Sequence, residues 1–80
     1  RLFPNPNNGV FTLEMSGEVE GEVEFSLFSS DGRLLRRETA TFGNGTLLQN
    51  FDYGDLPPAL YLLRIRAGEK TAFEKVMIQR

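Results

Sequence analysis

The chain of 80 residues has neither cysteine nor histidine. Those two absences remove the thiolate nucleophiles, the usual zinc ligands and the commonest general base together. Without cysteine the fold is also indifferent to the redox state of its compartment, so cytosol and exterior are equally open to it. No apolar run approaches the roughly 20 residues of a membrane-spanning helix, and no signal-peptide pattern is visible. Nine cations are scattered along a chain of net charge −2, so the electropositive footprint of a nucleic-acid binder is missing. Catalysis would fall to a pair of carboxylates alone. Neither an enzyme, nor a cofactor, nor a nucleic-acid or membrane-inserted role is expected.

What is present suits one small domain. A chain of this size buries only about 60% of its unfolded surface, so its stability should be modest. An apolar fraction of 40% with seven phenylalanines supplies a core and argues against disorder. The first residue is Arg1 rather than Met, which suggests a fragment of a longer protein.

Apolar residues alternate with polar ones throughout, and no segment holds a helical stripe. Phe11, Leu13 and Met15 alternate with Thr12 and Glu14. Val23, Phe25 and Leu27 do so with Glu22, Glu24 and Ser26. Near the end, Tyr61, Leu63 and Ile65 share one period and Val76 and Ile78 another. Turn chemistry separates the runs: Ser16-Gly17, Ser29 to Gly32, Gly43-Asn44-Gly45, Gly54-Asp55 with Pro57-Pro58, and Gly68-Glu69. Short alternating strands at this spacing indicate an all-β sandwich. Asp31-Gly32 marks a hairpin, with the register beyond it ambiguous because Leu34 and Leu35 are both apolar. Leu60 to Ile65 is the most continuously apolar run and is placed centrally in a sheet, starting after the two prolines, with Leu63 buried.

The opening residues Phe3-Pro4-Asn5-Pro6-Asn7-Asn8-Gly9 precede any alternating run. Each proline fixes its own φ and biases its predecessor toward extended conformations, so Phe3 to Pro6 reads as a stiff, extended strut. Asn7, Asn8 and Gly9 then permit a sharp turn. Arg1 and Leu2 fall outside the turn-bounded strands, so proteolysis should begin just upstream of Phe3.

Other candidate features have ordinary explanations. Glu18, Glu20, Glu22 and Glu24 would share one face of an extended segment. Calcium wants converging loop oxygens, so a solvated strand face is preferred. Asp52 and Asp55 around Gly54 read as a turn rather than a sugar or metal site. Phe28, Phe42, Phe51 and Phe73 could form a stacking platform, but so small a domain needs them in its core. Asn44-Gly45-Thr46 matches a glycosylation acceptor and equally makes a turn.

Three motifs in order resemble the type A C-terminal sorting domain of the bacterial type IX secretion system. They are Phe3-Pro4-Asn5-Pro6; Val23 to Phe28 followed by Asp31-Gly32-Arg33; and Leu56 to Ile65 with Tyr61, then Gly68 and a closing Lys75-Val76-Met77-Ile78. Two departures stand out. Ala59 occupies a position where the family usually has glycine, and Ser29 one where it often has aspartate. The resemblance implies a single immunoglobulin-like antiparallel β-sandwich of about seven short strands over residues 1–80. It also implies a module without chemistry of its own, attached behind an upstream cargo domain in the same chain. Its implied partners are the outer-membrane translocon and the sortase that releases or anchors the cargo, after export through periplasm and outer membrane to the cell surface or beyond. Phe3, Pro4, Asn5, Pro6, Gly32, Arg33, Tyr61, Gly68, Lys75 and Val76 are the motif residues it singles out. The competing class is a fibronectin-like spacer or a carbohydrate-binding sandwich on a secreted enzyme, which should expose a row of aromatics.

Overall fold

A computed structural model describes residues 1–17, 20–43 and 45–80. Seven strands appear in chain order: β1 (Leu2–Phe3), β2 (Val10–Met15), β3 (Gly21–Ser29), β4 (Leu34–Phe42), β5 (Leu47–Asp52), β6 (Ala59–Ala67) and β7 (Lys70–Ile78). They form two antiparallel sheets, β1-β2-β5 and β4-β3-β6-β7. In an immunoglobulin constant domain the fourth strand sits beside the fifth. Here β4 pairs with β3 instead, and the rest of the order is retained.

Period-two alternation sets the inner faces, because successive side chains on a strand point to opposite sides. Leu13 from β2, Val23, Phe25 and Leu27 from β3, Leu63 and Ile65 from β6, and Val76 and Ile78 from β7 are all buried. Aromatics bridge the sheets. Phe11 stacks on Phe51 within the first sheet at 5.0 Å, and Phe51 meets Phe25 of the second edge-to-face at 5.2 Å. β6 lies between β3 and β7, as its apolar run predicts.

The Asp31-Gly32 hairpin forms between β3 and β4, and its ambiguous register has a physical origin. Leu27 pairs with Arg36 but Phe28 with Leu34, so the ladder shifts there and Leu35 is the extra residue of a β-bulge. Two adjacent leucines mark the place where the chain changes phase. Leu34 is exposed on the outer side and Leu35 is partly buried against the core.

Several expectations need correction. Leu2 is not outside the strands: it is buried, pairs with Leu13, and extends the inner face of β2. Arg1 is tied as well, since its carbonyl accepts from the Glu14 amide at 2.7 Å. Two residues are too few for an alternation to register, which is why the sequence conceals β1. Glu22 and Glu24 do lie on the outer side of β3, but Glu20 precedes that strand and Glu18 lies outside the described residues. Of the four phenylalanines assigned to the core, Phe51 is buried and Phe42 packs partly against it. Phe28 and Phe73 instead face outward, Phe73 with 54% exposure. Asn44, the glycosylation candidate, is outside the described residues.

Gly9 is required by close packing. With φ at 105° it brings β2 so near the β5 end that a Cβ would sit 2.7 Å from the Tyr53 carbonyl oxygen. Ala59, by contrast, opens β6 without positive φ, so the absent glycine costs that turn nothing.

Candidate functional site

Most of the motif residues gather at two neighbouring places, a clasp on the β7 edge and a groove on the outer face beside it. The clasp corrects the expected strut. Phe3–Pro4 and Asn5–Pro6 are both cis, and the segment folds back onto the body. The Asn5 side chain donates to the Lys75 carbonyl and accepts from the Met77 amide, each at 2.9 Å. Asn7 continues the contact through its backbone. Its amide donates to the Met77 carbonyl at 2.9 Å, and its carbonyl accepts from the Gln79 amide at 2.7 Å, forming a parallel bridge to Ile78. Proline lacks an amide and cannot supply such a ladder, so the asparagines placed between and after the prolines do so.

Asn7 is the residue that sequence reasoning missed. It is buried, and its side chain also donates to the Pro4 carbonyl and accepts from the Gly9 amide, at 2.9 and 2.8 Å. Backbone and side chain together use four groups, so the apparent turn residue is the pivot that ties the connection between β1 and β2, both in the first sheet, to the β7 edge of the second. Arg80 closes the same end, its guanidinium donating to the carbonyls of Gly54 and Leu56.

Tyr61 has a structural role that its motif does not advertise. Its hydroxyl donates to the Pro57 carbonyl four residues upstream at 2.5 Å. A tyrosine near the start of the sixth strand, bonded back to the preceding corner, is the tyrosine corner of immunoglobulin-like sandwiches. Pro57 and Pro58 hold the corner, and the buried ring fixes the start of β6. Val76 is likewise a core residue, with no exposure.

Lys75 points outward, on the opposite face from the buried Val76 and Ile78. It lines an open groove of about 440 Å³ with Phe28, Leu60, Leu62, Arg64 and Phe73, and Gly32 and Tyr61 border the same space. The Arg64 guanidinium lies over the Phe28 ring at 5.1 Å and approaches Glu24 at 3.6 Å. Glu24 is bound more closely by Arg37, at 2.5 Å, and this hydrogen bond holds its carboxyl below the usual glutamate range. A carboxylate so engaged is no open cation ligand.

Of the remaining motif residues, Gly32 and Arg33 lie in the hairpin at the rim of the groove and Gly68 lies far from it. Gly32 has φ of 88° in the hairpin, where its amide donates to the Ser29 carbonyl at 2.9 Å, and Arg33 is exposed beside it. Ser29 fills the place of the usual aspartate: its hydroxyl donates to Asp31 and accepts from the Arg33 amide. Gly68 makes the two-residue turn from β6 to β7. It sits at the far end of those nine-residue strands, about 23 Å from Tyr61 at the usual rise.

An all-β sandwich of immunoglobulin-like order, closed by a tyrosine corner and clasped between its first and last segments, defines the class of domain. A model of the secretion system C-terminal sorting domain family matches residues 1–79, and the chain belongs to that family of type IX secretion sorting domains. The family is one of secretion signals rather than catalysts, and a type IX signal directs export toward the cell surface or the extracellular space. No curated protein matches the chain.

Proposed function

We propose that the folded sandwich is itself the address read by the type IX outer-membrane translocon, and that a sortase then removes it to release or anchor the cargo on its amino-terminal side. The observation that carries this reading is the Asn5 clasp. Residues from the two extremes of the family signature, Asn5 and Lys75, are neighbours only once the sandwich has formed. A receptor that reads both therefore reads a folded object. The domain contributes shape and surface to this process and performs no reaction.

The clasp also relocates the processing point. A strut at Phe3 to Pro6 would offer its own peptide bonds to the sortase. A segment paired to β2 and bonded to β7 withholds them, so cutting belongs upstream of Arg1. The sugar-binding alternative asks for a row of exposed rings. Among the described residues Phe73 is the one phenylalanine more than half exposed, and Arg64 covers one face of Phe28.

Fusion of the domain to a periplasmic reporter in a type IX-competent host tests the proposal. The reporter should reach the cell surface or medium, and should remain periplasmic when the domain is omitted or the secretion system is inactivated. Equal delivery with and without the domain would overturn it.

A further inference from the structure

The groove on the outer face of the larger sheet carries apolar area that the fold itself does not need. Leu60, Leu62 and Phe73 project outward around it, each at least 36% exposed, although alternation would ordinarily put polar residues there. On the same strands Leu63, Ile65, Val76 and Ile78 already fill the core. Outward apolar residues clustered beside polar neighbours mark a surface that meets something.

The charge around the groove narrows what that something is. Its lining includes two cations, Arg64 and Lys75, and no carboxylate, in a chain whose net charge is −2. Arg64 retains binding capacity, because its contacts with Ser26 and Glu24 are long, at 3.5 and 3.6 Å. Lys75 enters no ion pair among the described residues. A second copy docked about a twofold axis would bring these cations against their own images, which opposes a symmetric dimer.

The edge of β7 supplies the shape of the ligand. Asn5 and Asn7 cover this edge only from Lys75 onward. By the two-residue period of the strand, the backbone groups of Thr71 and Phe73 point the same way, and among the described residues no strand pairs with them. An unpaired edge beside side-chain pockets is the arrangement that accepts an added strand.

We infer that the Thr71–Lys75 edge and the adjoining groove bind an extended peptide segment of a partner protein, in which an apolar anchor and the carboxylates two residues to either side of it share one face. An anchor side chain packs against Phe73 and Leu62, and the flanking carboxylates meet Lys75 and Arg64. This deepens the export reading by naming the kind of segment the secretion machinery presents.

The test is a titration of the isotopically labelled 80-residue chain with acetyl-Asp-Thr-Leu-Thr-Asp-amide, in which anchor and carboxylates share one face of the extended chain, followed by amide chemical shifts, beside its counterpart carrying Lys for each Asp. The acidic peptide should give saturable shifts at Leu62, Phe73 and Lys75, with an affinity at least tenfold above that of the basic peptide. Lys75→Glu should reverse or abolish that preference, and Phe73→Ser should weaken the acidic peptide at least fivefold, both with melting temperatures near the parent's. Absence of saturable shifts, equal response to the two peptides, or shifts confined to other surfaces would overturn the inference. So would concentration-dependent dimerisation through Phe73 and Leu62, seen by sedimentation. Wild-type export is read separately. A reporter left in the periplasm while the acidic peptide still binds the groove would refute the sorting reading and leave the groove's chemistry supported.

Discussion

Asn5 and Met77 are 72 positions apart, and the Met77 amide donates to the Asn5 side-chain oxygen at 2.9 Å. With the companion bond from Asn5 to the Lys75 carbonyl, one exposed side chain stands in for a neighbouring strand along the β7 edge. Asn7 extends the same seam with its backbone.

That seam is worth a measurable share of a small domain's stability. A hydrogen bond contributes about 0.5–1.5 kcal/mol net, and a buried group left unpaired costs about 1–3 kcal/mol. Asn5→Ala, at an exposed site, should lower stability by about 1–2 kcal/mol. Asn7→Ala should cost more, because it strands the buried Gly9 amide. Urea unfolding of the two variants checks the order. Equal midpoints for Asn7→Ala and the parent would show that the pivot carries no load.

Leu62 and Leu63 test the two faces of β6. Leu63 has no exposure, and Leu63→Ala should cost about 2–5 kcal/mol through lost transfer energy and an unfilled cavity. Leu62→Ala, on the groove side, should stay within about 1 kcal/mol. Comparable losses at both positions would contradict the assignment of faces.

Tyr53 gives the domain an alkaline limb. Burial first, then the hydrogen bond from its hydroxyl to Glu38 at 2.8 Å, raises its phenol above the ordinary value of 10.0. The folded state therefore holds this proton more tightly than the unfolded state. The resulting stability is fully present below pH 10 and is lost as pH rises through the folded value. Tyr53→Phe should flatten this decline above pH 10, measured by urea midpoints across the alkaline range. An identical slope in both proteins would remove Tyr53 as its source.

These residues also show where sequence reasoning reaches and where it stops. The alternation of Tyr61, Leu63 and Ile65, and that of Val76 and Ile78, gave strands and faces correctly because burial on one side of a pleated strand imposes a period of two. The turns were legible for a similar reason, since glycine and proline have local conformational causes. The clasp was not, because the preferences of Pro4 and Pro6 are local while the partner of Asn5 lies at the other end of the chain. Asn7 was read as a turn residue for the same reason. Phe73 was assigned to the core on size alone, and hydrophobicity does not reveal that β7 turns this ring outward. Of the candidate site, Lys75 on an outward face was legible. The groove it joins depends on the pairing of three strands and was not.

Pairing of β1 changes the expected pattern of proteolysis. Leu2 is buried and Arg1 is bonded to Glu14, so the segment from Leu2 to Asn8 should resist a protease as long as the sandwich stays folded. Limited proteolysis of a cargo fusion, followed by mass spectrometry, should give first cuts upstream of Arg1. First cuts between Phe3 and Asn8 would restore the exposed strut and contradict the clasp.

The central claim is that the sorting signal is the assembled sandwich, and removal of Val76–Arg80 from a reporter fusion tests it most directly. The deletion takes away two core side chains, the end of β7 and every partner of the Asn7 backbone, whereas Lys75→Ala leaves the core intact. Surface delivery, measured by protection and release of the reporter in a type IX-competent host, should be lost with the deletion together with the cooperative unfolding transition, while Lys75→Ala retains that transition within about 0.5 kcal/mol. Cargo that still reaches the cell surface without Val76–Arg80 would contradict the account.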